Sequence, residues 1–186
     1  MTTDSNVPLD ARHAVFVVSG MQGAGKTTVA ALLARRFARG VHVSADDLQR
    51  MIVSGVAWKS QRDAEDEPDR QLKLRLHNMC LLAISFFDAG FTVVIEDIII
   101  GERMQHLIDE LFGRPFLFVM LTPELDAVKM REARRGTRLH EQWAWMDEEI
   151  RTGTRRTGLW IDSTGQTADE TVDEIMRRAF DEGIAE

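Results

Sequence analysis

The chain has a single cysteine, Cys80, which excludes an internal disulfide. No early apolar segment has the form of a signal peptide or a membrane span, so a reducing cytoplasm is its expected location. His42, His77, His106 and His140 are scattered without metal-ligand spacing, which argues against a histidine metal site. Basic residues are outnumbered, 23 Lys and Arg against 30 Asp and Glu, and the formal charge of -7 argues against a surface built to hold a nucleic-acid backbone. Internal repeats and low-complexity stretches are missing too. At 186 residues and 44% hydrophobic, the chain can bury one sizeable core, and a single domain over 12–186 is expected behind a disordered leader, 1–11. Cys80 falls inside an apolar helical pattern with no activating neighbour and reads as a core residue.

What the chain does have is a phosphate-loop pattern. Residues Gly20, Met21, Gln22, Gly23, Ala24, Gly25, Lys26 and Thr27, followed by Thr28, fit G-x-x-x-x-G-K-[ST]. Glycine is needed where backbone closely approaches a pyrophosphate, lysine reaches the outer phosphates, and the Thr27 hydroxyl is placed to ligate magnesium. Ahead of the loop, Ala14-Val15-Phe16-Val17-Val18 has the β-branched, continuously apolar character of a buried parallel strand. Behind it, residues 27–38 are good helix formers, with Gly40 placed as a stop. A helix N-terminus then faces the phosphates with its partial positive charge.

Further strands are expected at 41–44, 91–95, 116–121 and 158–161. Helices are expected at 47–53, 68–89, 102–112, 123–135, 140–155 and 167–180, and a polar acidic loop at 60–69. Strands alternating with helices imply a parallel sheet covered on both faces, and such sheets bind ligands beyond the carboxyl ends of their strands.

Three strand ends carry suitable groups. After the second come Ser44, Asp46 and Asp47. Asp46 is the candidate general base for an attacking hydroxyl, and Asp47 a first-turn helix acid, although both could simply favour the helix. After the third come Glu96 and Asp97, which point to opposite faces of a regular strand. Asp97 is favoured as the one that reaches the loop through a magnesium-bound water or touches the acceptor, the alternative being a solvated strand end. After the fifth come Asp162, Ser163 and Thr164, of which Ser163 and Thr164 are nucleotide-binding candidates. The run 131–138 adds Arg131, Arg135 and Arg138, which suit a lid over a triphosphate but are also ordinary partners for a helix C-terminus. The acceptor pocket is expected between Leu48 and Met79, where Trp58 offers a flat apolar wall or else packs on the long helix.

On the phosphate loop, Ser44-Ala45-Asp46-Asp47, Ile95-Glu96-Asp97 and the arginine run, in that order, the chain resembles small P-loop kinases that phosphorylate a hydroxyl. The chloramphenicol phosphotransferase-like group is the nearer likeness and polynucleotide kinase a more distant one. The resemblance implies a three-layer α/β sandwich, the P-loop NTPase fold, with a five-stranded parallel sheet of order 2-3-1-4-5 and an arginine-bearing lid at about 131–156. It implies Asp46 as the catalytic aspartate and Arg131, Arg135 and Arg138 as lid arginines; with the residues read above, the expected catalytic groups are Lys26, Asp46 and Arg135, the nucleotide contacts include Arg131, Ser163 and Thr164, and the acceptor contacts are Asp46, Trp58, Asp97 and Arg138. ATP and magnesium are the implied cofactors, with metal ligation from Thr27 and from Asp97 through water. The strand and turn from Gly158 to Thr164 resemble the segment that passes the adenine. Polynucleotide kinases carry an arginine shortly after the paired aspartates to hold an acceptor phosphate. Here Gln49 comes first and Arg50 follows. With the net negative charge, this favours an uncharged or weakly charged small acceptor, such as an antibiotic or another metabolite; a monomer or homodimer is expected. A nucleotide-gated ATPase or regulator, and a polynucleotide 5′-hydroxyl kinase, stay open as other readings.

Overall fold

The computed structural model describes residues 13–57, 66–111, 114, 116–136 and 145–185. Its centre is a five-stranded parallel sheet of β1 (Val15–Gly20), β2 (Gly40–Ser44), β3 (Thr92–Glu96), β4 (Phe116–Leu121) and β5 (Leu159–Ile161), in the order β2-β3-β1-β4-β5. This is the expected order, and the fold is that of the P-loop NTPases. Every residue of β1, β3 and β4 is buried, as strands covered on both faces must be, and that is why their sequences are continuous apolar runs rather than alternating ones.

The helices are α1 (Lys26–Ala34), α2 (Ala45–Arg50), α3 (Asp66–Asp88), α4 (Arg103–Glu110), α5 (Leu125–Arg135), α6 (Trp145–Glu148) and α7 (Ala168–Glu182). Right-handed crossovers decide their sides. The step from β1 out to β2 puts α1 on one face, and the return from β2 to β3 puts α3 on the other. α1 lies under β1, β2 and β3 beside α7, which lies under β4 and β5, whereas α3 packs beside α4 over β2 and β3. Phe16 and Phe118 are fully buried, and Phe16 makes an edge contact with Phe180 of α7, ring centroids 5.7 Å apart. Thr167 and Glu170 form a reciprocal capping box at the start of α7. Beyond its end, the Phe118 N–H donates to Gly183 O at 2.7 Å, and Ile184 forms an antiparallel bridge with Leu117. Among the described residues no helix is long and apolar enough to cross a membrane.

Several boundaries differ from expectation, among them α2, which spans Ala45–Arg50 where 47–53 is expected. α1 ends at Ala34, and Gly40 opens β2 instead of stopping the helix; it must be glycine there, since a Cβ would lie 1.8 Å from Ala34 O. β3 extends through Glu96. α3 starts at Asp66, so 66–69 is helical rather than loop. Of the helix expected at 140–155, residues 140–144 lie outside the described residues, and α6 runs directly into a π-helical turn, Glu149–Gly153. There Thr152 Oγ1 donates to Glu148 O and Thr154 Oγ1 to Glu149 O, both at 2.9 Å, so hydroxyls compete with backbone donors and widen the turn.

Gly40→Ala should cost about 3 kcal/mol in urea unfolding, since backbone rather than a movable side chain blocks the methyl. Gly165→Ala, with open space around it, should stay within about 0.5 kcal/mol.

Candidate active site

β1 delivers the chain into the loop at Gly20, whose φ of 148° and lack of a Cβ allow its α-carbon to press against the Leu121 carbonyl. Gly25, with φ 97°, is the N-cap of α1, and no side chain caps that helix end. Its first-turn N–H groups are thus left to an external acceptor. Met21 and Ala24 are buried, and the loop closes on itself through an Ala24 N–H bond to Met21 O at 3.2 Å. Val128 and Glu132 of α5 lie against Gly23, so α5 rests directly on the loop beside Gln22.

Lys26 is 8% exposed and donates from Nζ to Met21 O at 3.1 Å. Burial lowers its pKa, the carboxylates of Glu96, Asp97 and Asp46 oppose the shift, and Arg75 adds to it. Thr27 and Thr28 are exposed at the head of α1. Thr27 Oγ1 donates to Glu96 Oε1 at 3.2 Å, and Ser44 Oγ donates to the same oxygen at 3.0 Å. The parallel register sets both contacts, pairing Glu96 with Ser44 on one side and Val18 on the other. The carboxylate facing the loop is therefore Glu96, not the favoured Asp97. Oxygen donors from Thr27 and Glu96 suit a hard divalent cation such as magnesium, which keeps most of its waters and takes one or two protein oxygens.

Asp97 has another occupation. Its Oδ1 accepts from Arg75 Nη2 and from the Ile98 N–H, and its Oδ2 from Arg103 Nη2, each at 2.7 Å. Both oxygens are held by cations, which leaves Asp97 a poor metal ligand. Arg103 also donates to the Ile98 carbonyl, and Arg75 Nη1 reaches Gln49 Oε1 at 3.1 Å. Burial alone would raise the Asp97 pKa, but the Arg103 and Arg75 guanidinium groups outweigh it and hold the carboxyl below its usual value. Burial raises the Glu96 pKa, against the opposing pull of Lys26 and of the hydroxyls of Ser44 and Thr27.

Asp46 is exposed in the first turn of α2 and makes no hydrogen bond or ion pair among the described residues, while Asp47 pairs with Arg50 at 2.7 Å. Arg131 Nη1 donates to Ala24 O at 3.2 Å and its Nη2 to Ser163 O at 2.5 Å, tying the loop to the turn after β5. Ser163 is buried with an unpartnered hydroxyl. Thr164 Oγ1 accepts from the Glu124 N–H at 2.8 Å and donates to Asp162 Oδ1, so this side chain joins the two loops that follow β4 and β5. Arg135 lies in α5, while its side chain, with Trp58 and Arg138, falls outside the described residues.

Sequence reasoning missed Arg75 and Arg103. Arg75 had a signal: it lies on the helix face that carries Gln71, Leu76, Met79 and Ala83, all buried, and a charge at such a position needs a buried partner.

Adjacent carboxylates thus have opposite linkage. Glu96 has a raised folded pKa, so the ligand-free protein gains stability as pH falls through that pKa; Asp97 has a depressed one, and its contribution is lost as pH falls through it. By urea unfolding at pH 7, Glu96→Gln should leave the ligand-free fold as stable as wild type or more so, the advantage shrinking on acidification. Asp97→Asn should cost about 3 kcal/mol, because two partly buried guanidinium groups lose their counter-charge. Equal losses in both variants would contradict these assignments.

Residues 15–159 match the AAA domain family. No curated protein shows a significant match. Among solved structures, the tunicamycin resistance protein of Deinococcus radiodurans superposes with a TM-score of 0.65 at 17% identity, over 94% of this chain and 99% of that one. The Mycobacterium tuberculosis APS kinase in complex with AMPPNP and APS gives 0.63 at 17%, over 89% and 96%. A gluconokinase from Sinorhizobium meliloti 1021 gives 0.62 at 18%, over 89% and 90%. These likenesses extend to the fold, and the family match covers the sheet from β1 into β5: the chain belongs to the AAA domain family.

Proposed function

We propose that the chain is an ATP-dependent phosphotransferase that moves the terminal phosphoryl group to a hydroxyl of a small molecule. The observation that carries this reading is the Glu96 carboxylate held between Thr27 of the phosphate loop and Ser44, two residues before Asp46. The bond that seats Glu96 also fixes the start of α2, so Asp46 stands near enough for its charge to act on both Lys26 and Glu96. A nucleotide switch or ATPase needs the loop and Glu96. A free, exposed carboxylate at this position serves an acceptor.

On this reading the backbone of Gly20 to Thr28 and Lys26 hold the phosphates, and Lys26 exchanges the Met21 carbonyl for phosphate oxygens. Thr27 and Glu96 would hold magnesium, which would neutralise charge on the phosphates. Asp46 accepts or orients the acceptor proton. Arg131 braces the loop against Ser163 and, with Arg135 and Arg138, supplies cationic stabilisation of the transferring group. Arg75 and Arg103, oriented by Asp97, form the positive border of the acceptor side.

A small acceptor fits better than a nucleic-acid end. Gln49 is buried on Arg75, and Arg50 is exposed and already paired with Asp47, so neither offers a free cation to an acceptor phosphate. Several structures of the same fold are named sugar kinase, gluconokinase or tunicamycin resistance protein, which is in keeping with a hydroxylated metabolite or antibiotic. The affiliation to the chloramphenicol phosphotransferase-like group, a cytoplasmic location and a monomeric or homodimeric state belong to the same proposal.

Asp46→Ala should lower acceptor-dependent turnover by about two to four orders of magnitude while leaving ATP affinity within about twofold. Lys26→Ala should weaken both. Undiminished turnover in Asp46→Ala would remove that residue from the mechanism.

A further inference from the structure

A cavity of about 330 Å³ lies over the carboxyl ends of β4 and β5, and none of Lys26, Thr27, Asp46, Glu96 or Asp97 lines it. Its volume is in the range of small-molecule sites. Met21 and Leu121 contribute apolar surface, with Ile150 from the π-helical turn and the half-buried indole of Trp160. The π turn is pinned from behind: Thr154 Oγ1 accepts from the Gly101 N–H at 3.0 Å, and Glu149 lies against the α-carbons of Gly101 and Gly153.

The polar groups of the lining are unequally satisfied. Thr122 Oγ1 donates to Ile161 O, Thr154 Oγ1 to Glu149 O, and Trp160 Nε1 to Thr157 O. Asp147 accepts from Arg151 Nε at 2.9 Å, and the charges of Glu124 and Asp162 also act on that guanidinium, whose two terminal nitrogens make no hydrogen bond among the described residues. Arg156 lies 5.0 Å above the Trp160 ring and carries no ion pair among the described residues. The hydroxyls and the indole N–H are thus already engaged, and the donors that remain open are guanidinium groups beside an aromatic and aliphatic wall. Such a lining complements an anion attached to a ring.

We propose that this cavity is a second ligand site, separate from the phosphoryl-transfer centre, for a small ring-bearing carboxylate. The carboxylate pairs with Arg156 and Arg151, and the ring lies against Trp160 and Ile150. Met21 is the residue common to this cavity and the phosphate loop. The site stands whether or not the chain is a kinase.

The test uses the full chain and two probes, sodium benzoate and uncharged benzyl alcohol, at constant ionic strength. The Trp160 indole N–H resonance is assigned with Trp160→Phe and followed by NMR. Benzoate should shift that resonance saturably, and more tightly than benzyl alcohol does. Arg156→Gln, at an exposed position, should weaken benzoate about tenfold and leave benzyl alcohol unchanged. Lys26→Ala should bind benzoate as wild type does. The proposal is overturned if benzoate leaves the Trp160 resonance unmoved, if Arg156→Gln binds it with wild-type affinity, or if ATP competes it away.

Discussion

One oxygen of Glu96, accepting hydroxyl hydrogen bonds from Thr27 and Ser44, is the contact on which the arrangement of the site depends. It joins the phosphate loop after β1, the end of β2 and the end of β3, three segments far apart in sequence. Parallel pairing makes this possible, because the register that places Val17 beside Ile95 also places Val18 and Ser44 on either side of Glu96. Side chains alternate along a strand, so a slip of one residue would turn Asp97 toward the loop and Glu96 toward the arginines of α3 and α4. Close packing on both faces of these fully buried strands opposes that slip, since each side chain would enter a space shaped for another.

The two carboxylates at the end of β3 are thereby given different electrostatic surroundings. Asp97 is neutralised within the fold by Arg75 and Arg103, and its charge becomes part of the structure. Glu96 has two hydroxyls and the field of Lys26 as its compensation, and it bears a burial penalty in the ligand-free protein. Lys26 is in the complementary position, buried with a carbonyl as its hydrogen-bond partner. A centre holding an undercompensated acid and an undercompensated base in reach of an open helix N-terminus is organised for a ligand that carries both a cation and several anions. Magnesium with a triphosphate is such a ligand.

The phosphate loop was legible because its backbone geometry admits little besides glycine: Gly20, Gly23 and Gly25 all have positive φ. The strands were legible as apolar runs, and their order followed from resemblance rather than from periodicity. The choice between Glu96 and Asp97 was not legible, since it turns on whether the strand remains regular through its last residue, which tertiary pairing decides. Arg75 could have been found as a charge on an apolar helix face, but its partners Gln49 and Asp97 come from two other elements. The π-helical turn was hidden because Thr152 and Thr154 act through side-chain bonds that helical periodicity does not record. Trp58 and Arg138, two of the acceptor contacts expected from the sequence, fall outside the described residues.

The central claim is transfer to an acceptor rather than to water. It is tested most directly by ADP release from ATP and magnesium across a panel of sugars, nucleosides, hydroxylated antibiotics and 5′-hydroxyl oligonucleotides, with mass spectrometry of each mixture. The account predicts release that depends on one class of small hydroxylated acceptor and yields a product heavier by one phosphate. Release at the same rate with every acceptor and with none, and no phosphorylated product, would contradict it.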